Sequence, residues 1–148
     1  MKQQRQSGFT VIELIVFFAI LVTLGVVFVI QKNDLSIRYD DQQRKVAINS
    51  MYYGLTEVFY AQHKYYPAEI SSDNLKAVDP ELFTDPLGFT LNGSACEYED
   101  SMGEKQTDGD CDYHYEGLDC DGDGKCKGFR LTAILEKEAE YVRESPGR

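Results

Sequence analysis

The longest pattern in the chain is an apolar run from Phe9 to Ile30, interrupted only by Thr10, Glu13, Thr23 and Gly25. Its 22 residues, at about 1.5 Å each, reach about 33 Å as a helix, enough for a bilayer core of about 30 Å. Apolar positions then recur with helical spacing: Ile48, Met51, Tyr52, Leu55, Val58 and Phe59 fall at i, i+3, i+4, i+7, i+10 and i+11. Arg44, Lys45, Asn49 and Glu57 supply polar faces. No Pro precedes Pro67, so one helix is predicted from Phe9 to Gln62, apolar over 9–30 and amphipathic over 31–62. Tyr65-Tyr66-Pro67 ends it, because Pro disfavours helix at the residue before it.

Beyond the helix the pattern shortens. Ser71 to Val78 predicts a short helix with Ser71 or Ser72 as its N-cap. Asp79-Pro80-Glu81 is a helix start, and Asp85-Pro86-Leu87-Gly88 a turn. Strands are predicted over Asp112 to Glu116, Phe129 to Leu135 and Phe89 to Leu91. In the clearest, Phe129, Leu131, Ala133 and Leu135 share one face, and Arg130, Thr132 and Ile134 the other. The predicted fold class is α+β. A long N-terminal helix, half transmembrane and half amphipathic, packs on a small antiparallel sheet in a head over 63–136. Ile48, Leu55 and Phe59 meet Leu131 and Leu135 there. The residues 137–148 are expected to be a polar, frayed tail.

Charge orients this arrangement. Lys2 and Arg5 precede the apolar run and Asp34, Asp40 and Asp41 follow it. The positive-inside rule puts the N-terminus in the cytoplasm and the bulk of the chain outside. A secretory signal peptide fits poorly. The run exceeds an h-region of roughly 7–15 residues, and Ile30-Gln31-Lys32-Asn33 offers no small-x-small cleavage site. The four cysteines, Cys96, Cys111, Cys120 and Cys126, all lie on the outer side. In an exported domain they read as two disulfides with three possible pairings; Cys96–Cys111 with Cys120–Cys126 is the expected one. None of the spacings is C-x-x-C, which disfavours a zinc ribbon or a thioredoxin-type site. The formal charge of -10 leaves no basic patch for nucleic acid.

Glu13 does not fit a plain anchor. A carboxylate within a transmembrane helix costs about 2.5–3.5 kcal/mol on insertion scales, less near the interface. No Lys or Arg lies within the run. A cut just before Phe9 would expose an α-amine about 6 Å from Glu13 along the helix. Between staggered copies, the amine of one could meet Glu13 of the next, making the charge a register device.

The segment Ser7-Gly8-Phe9-Thr10-Val11-Ile12-Glu13-Leu14-Ile15 resembles the class III signal of type IV pilins and type II secretion pseudopilins. The resemblance implies cleavage after Gly8 by a prepilin peptidase/methyltransferase, N-methylation of Phe9 and a role for Glu13 in assembly. It implies a cytoplasmic-membrane protein that joins identical or related subunits through an inner-membrane assembly platform, ending in an extracellular or periplasmic filament. The Tyr-Pro and Asp-Pro-x-Gly segments resemble those that follow the long helix in the same families. The expectation is a pilin subunit of a type IV pilus-like filament. The alternatives are a pseudopilin of a secretion or DNA-uptake system and a membrane-tethered calcium-binding head that does not polymerise.

Asp119-Cys120-Asp121-Gly122-Asp123-Gly124-Lys125 matches the first half of an EF-hand-type loop, with Lys125 offering a carbonyl. Arg130 stands where the bidentate Glu belongs, so a Ca²⁺ site would need help from Asp108, Asp110 or Asp112. The other reading is a solvated acidic hairpin pinned by Cys120 and Cys126. Neither His63 nor His114 lies in a Ser-His or Cys-His motif, and no catalytic function is expected. Tyr52, Tyr53, Tyr60, Tyr65 and Tyr66 read as packing residues.

Overall fold

The structure, a computed structural model, describes residues 10–93, 95–108 and 111–147. The chain divides into two units between Ser36 and Ile37. Helix α1 runs over Val11–Tyr53, followed by a π-helical segment over Gly54–Phe59 and a last turn, α2, over Tyr60–His63. Together they form the long helix that the absence of proline predicts. In the first unit every described residue from Thr10 to Asn33 is exposed.

In the second unit the buried stripe of α1 is Asp41, Arg44, Ala47, Ile48 and Met51. Its spacing is helical, but it begins with a charged pair, and Arg44 is on the buried face rather than the polar one. The π segment then changes the face. A wider turn brings three successive residues, Gly54, Leu55 and Thr56, inward. Val58 turns out to 39% exposure and Phe59 is only partly buried, where an unbroken α-helix predicts both in the core. Gly54 is required at this point, because a Cβ there would stand 2.5 Å from Val78 Cγ2.

The head is antiparallel. β1 (Tyr66–Pro67), β5 (Tyr113–Cys120), β6 (Lys125–Ala133) and β7 (Tyr141–Glu144) form one sheet. β6 is central, with β5 on one side and β1 and β7 on the other. β2 (Thr90–Asn92), β3 (Ala95–Glu99) and β4 (Lys105–Asp108) form a second sheet. Phe129, Leu131, Ala133 and Leu135 are all buried, as the alternation predicts, beside Ile48, Met51, Leu55, Tyr66 and Phe83. Asp79 caps a 3-10 turn, Pro80–Phe83, by accepting from Glu81 N–H at 3.1 Å.

Three expectations need correcting. Ser71 to Val78 is a series of turns, not a helix. Asn74 accepts from Ser71 N–H and donates to the Glu69 carbonyl, both at 2.9 Å, a local competitor for helical bonding. The tail is not frayed over 141–145. β7 pairs with Arg130–Ala133, Tyr141 Oη donates to Asn49 Oδ1 at 3.1 Å, and Arg143 lies over the Tyr52 ring at 4.2 Å. The β3–β4 hairpin was not expected, because Glu97, Glu99, Lys105 and Gln106 give its strands little apolar pattern.

Candidate functional site

The apolar half of α1 is long and apolar enough to cross a membrane, and none of its most apolar stretch is buried. Gly8 and Phe9, the expected processing residues, lie outside the described residues. Glu13, the expected assembly residue, sits in the first turn. Its Oε2 accepts from Thr10 N–H and from Thr10 Oγ1, each at 2.8 Å, and Glu13 N–H points back at Thr10 Oγ1 at 3.4 Å. This is a reciprocal capping box: Thr10 is the N-cap and Glu13 the third helical residue. The signal, Thr-x-x-Glu before an apolar run, stands in the sequence, and the reading of Glu13 as unpartnered missed it. Farther along, Thr23 Oγ1 donates to the Ile20 carbonyl at 2.8 Å, which satisfies that hydroxyl within the helix. One carboxylate, held at one end, is thus the only formal charge from Val11 to Ile30.

The acidic loop is the tip of the β5–β6 hairpin, as the second of its two readings expects. Asp121 N–H donates to the Lys125 carbonyl at 3.0 Å, and Gly124 N–H to the Asp121 carbonyl at 3.2 Å. Asp121 Oδ1 accepts from Asp123 N–H at 3.0 Å and Lys125 N–H at 2.9 Å. Gly124 has φ +74°, the left-handed position of a three-residue hairpin loop. The same turn occurs twice more. Asp85 Oδ1 accepts from Leu87 and Phe89 N–H, with Gly88 at φ +93°. Asp100 Oδ1 accepts from Met102 and Glu104 N–H, with Gly103 at φ +79°. All three read Asp-x-x-Gly, and the residues flanking them pair directly: Thr84 with Thr90, Glu99 with Lys105, Cys120 with Cys126.

Of the loop residues singled out as metal ligands, Asp121 and Asp123 lie in the turn, Asp119 in β5 and Lys125 at the start of β6. Asp121 points back at its own backbone, the Lys125 carbonyl is hydrogen-bonded, and the Lys125 ammonium stands 3.7 Å from Asp123 Oδ2. Asp119 lies at the end of β5. Among the described residues no group of three His, Cys, Asp or Glu side chains is placed to hold a metal ion. Asp112, an expected auxiliary ligand, pairs with Arg44 instead. Asp110 and the side chain of Asp108 lie outside what the structure describes.

The disulfides pair as expected. Cys96–Cys111 ties β3 to the segment just before β5, and Cys120–Cys126 closes the turn end of the β5–β6 hairpin. His63 is exposed, with its ring against Phe59 at 4.4 Å. His114 is on the outer face of β5.

A buried ionic cluster joins the helix to the sheet, and the sequence reading did not anticipate it. Arg44, 1% exposed, stands 3.2 Å from Asp41 and 2.7 Å from Asp112, with Glu136 at 3.7 Å. Asp41 accepts from the N–H groups of Glu136 at 2.9 Å and Lys137 at 3.1 Å. Burial pushes the Asp41 carboxyl up, but those two hydrogen bonds and Arg44 outweigh it and hold the group below the usual range. Asp85 behaves oppositely. Its Oδ2 is buried with no hydrogen-bond partner, and desolvation lifts the carboxyl above its usual range against the bonds from Phe89 and Leu87. Asp100 makes the same turn in water, and the N–H groups of Glu104 and Met102 draw it down.

No family model, no curated protein and no solved structure matches this chain.

Proposed function

We propose that this chain is a subunit of a type IV pilus-like filament, processed after Gly8 and assembled through its apolar helix. The observation that carries the reading is the uncovered surface of α1 from Val11 to Ile30, apolar throughout but for one carboxylate fixed in its first turn. Lipid can cover such a surface before assembly, and like helices can cover it afterwards. Glu13 then provides register: an unpaired carboxylate in an apolar bundle is costly, and a neighbour's terminal amine at Phe9 offsets that cost. The disulfide-tied head and the flanking charges support an outward orientation. The role proposed is structural.

The test is processing within filaments. The full chain is produced with a prepilin peptidase and an assembly platform, and sheared surface filaments are analysed by intact mass. The expected species begins at Phe9, carries one N-methyl group and retains both disulfides. Filaments whose subunits keep Met1 to Gly8 would overturn the reading. Processed protein that stays monomeric in the membrane would favour a tethered head.

A further inference from the structure

We propose that a cleft beside the β5–β6 hairpin binds a carboxylated sugar ring of an acidic polysaccharide. The cleft measures about 450 Å³ and is walled by Tyr60, Tyr65 and Tyr66, within the range of small-ligand sites. Lys64, Lys125 and Lys127 stand on its rim, with Asp119 and Asp121 between them. The Tyr60 and Tyr66 rings stack at 4.9 Å and 28°, which fixes one wall. Tyr65 is half-buried, and the Lys125 ammonium lies 5.7 Å from its ring centre.

Two features separate this cleft from an ordinary surface. The chain carries a formal charge of -10, so carboxylates are plentiful. Yet Lys64 and Lys127, like Lys32 and Lys76, make no ion pair with any described residue, and here two such ammonium groups share one cleft. Second, the two non-glycine residues with left-handed backbone among the described residues are Lys64, φ 66°, and Asp119, φ 52°, and both line this cleft. Lys64 occupies the helix-ending position that glycine fills without steric conflict. Strain of this kind persists where the surroundings hold it, and it concentrates at binding sites.

The ligand class follows from what the rim offers. Free ammonium groups take a carboxylate through charge-assisted hydrogen bonds. Asp119 takes hydroxyl protons. The part-exposed rings of Tyr60 and Tyr65 take the C–H face of a sugar, while the buried Tyr66 backs Tyr60. A bare inorganic anion would use the lysines but meet the two aspartates. A neutral sugar would leave the lysines unused, and a nucleic acid would bring a continuous line of phosphates to an acidic protein. A carboxylated sugar uses all three kinds of group. This inference concerns a single subunit and does not rest on filament assembly.

The test uses the full chain in detergent micelles, titrated by calorimetry with a glucuronate-containing tetrasaccharide, a sialylated oligosaccharide and neutral cellotetraose. At least one acidic probe should bind, and which one does separates uronate-bearing from sialylated sources. Cellotetraose should bind at least about tenfold more weakly, as should the acidic probe to Lys64→Gln with Lys127→Gln, since charge-assisted bonds are lost. Lys64→Gly is a second variant. It relieves the left-handed backbone, so it should melt higher than the parent while binding more weakly. Lys76→Gln, away from the cleft, should leave binding unchanged. The proposal is overturned if neither acidic probe binds at millimolar concentration, if cellotetraose binds equally well, or if the double lysine variant binds as the parent does.

Discussion

Arg44 Nη2 lies 2.7 Å from Asp112 Oδ2, joining the buried face of α1 to the residue before β5. Asp41 and Glu136 complete the surround of this one guanidinium. Removing Arg44 leaves Asp41 buried and Asp112 partly buried without their cation. Breaking a buried pair in this way costs about 3–5 kcal/mol. Arg44→Met should therefore lower the stability of the head by about that amount despite its apolar side chain, read by denaturant unfolding of the full chain in micelles. Lys45→Met removes a pair that is largely at the surface, with Glu138, and should cost less than about 1 kcal/mol. Equal effects from the two substitutions would contradict the buried-cluster account.

Two aspartates give opposite pH dependence. The Asp41 carboxyl is held below its ordinary value of 3.8 by hydrogen bonds and Arg44, against burial. Its contribution is present above that value and is lost as pH falls through the lower folded one. Burial raises Asp85 above 3.8. The stability from its protonated form is present below 3.8 and is lost as pH rises through the folded value. Asp85→Asn keeps an oxygen for the Leu87 and Phe89 N–H groups and discards the charge. It should leave the melting temperature at pH 7 unchanged or higher and flatten the fall above pH 4. A lower melting temperature at pH 7, with the fall above pH 4 retained, would show that the ionised carboxylate itself stabilises the turn.

The acidic hairpin gives a metal test. Since Asp121 Oδ1 is engaged by two backbone N–H groups, Asp121→Ala should destabilise the head by about 1–2 kcal/mol equally in Ca²⁺ and in chelator. Asp123→Ala should stay within about 0.5 kcal/mol of the parent. Thermal melts of the full chain in each condition check this. A parent that melts higher in Ca²⁺, with the increment lost in Asp123→Ala, would establish a cation site in the loop.

Elements with a strong period were legible before the structure: the long helix, the β6 face of Phe129, Leu131 and Ala133, and the Asp79-Pro80 start. What escaped has a common physical cause, the use of polar groups in tertiary roles. Arg44 looks like a solvated residue until Asp112, far along the chain, is known to face it. Asp121 looks like a ligand until its turn is set beside the turns at Asp85 and Asp100. The Asp-x-x-Gly pattern stands at all three places: Asp85-Pro86-Leu87-Gly88 reads as a turn because Pro86 marks it, Asp121 to Gly124 reads as an acidic hairpin or a cation loop, and Asp100 to Gly103 has no second marker. The π segment has no marker except Gly54, whose need arises from Val78. Thr10-x-x-Glu13 was hidden by the attention that a charge in an apolar run attracts.

The capping box separates two roles that Glu13 can hold. As a cap, its Oε2 accepts from Thr10 N–H and Oγ1. A glutamine at the third helical position accepts the same bonds through its amide oxygen. As a register charge, it must be an anion, and glutamine cannot replace it. Glu13→Gln therefore keeps the helix start, and it makes membrane insertion easier by removing a carboxylate. Glu13→Val removes both the cap and the charge. If the filament reading holds, both variants should be inserted and cut after Gly8, since the charge lies beyond the scissile bond. Both should then fail to assemble when no parent subunit is present, because each leaves the amine of a neighbouring Phe9 without its partner. That loss costs about 3–5 kcal/mol for a buried pair, and it recurs at every subunit along a filament. The measurement is the yield of sheared filaments beside the amount of processed protein in the membrane. Normal filaments from Glu13→Gln, with few from Glu13→Val, would assign Glu13 to capping and remove the pairing mechanism. Normal filaments from both would remove Glu13, as cap and as charge alike, from the assembly mechanism.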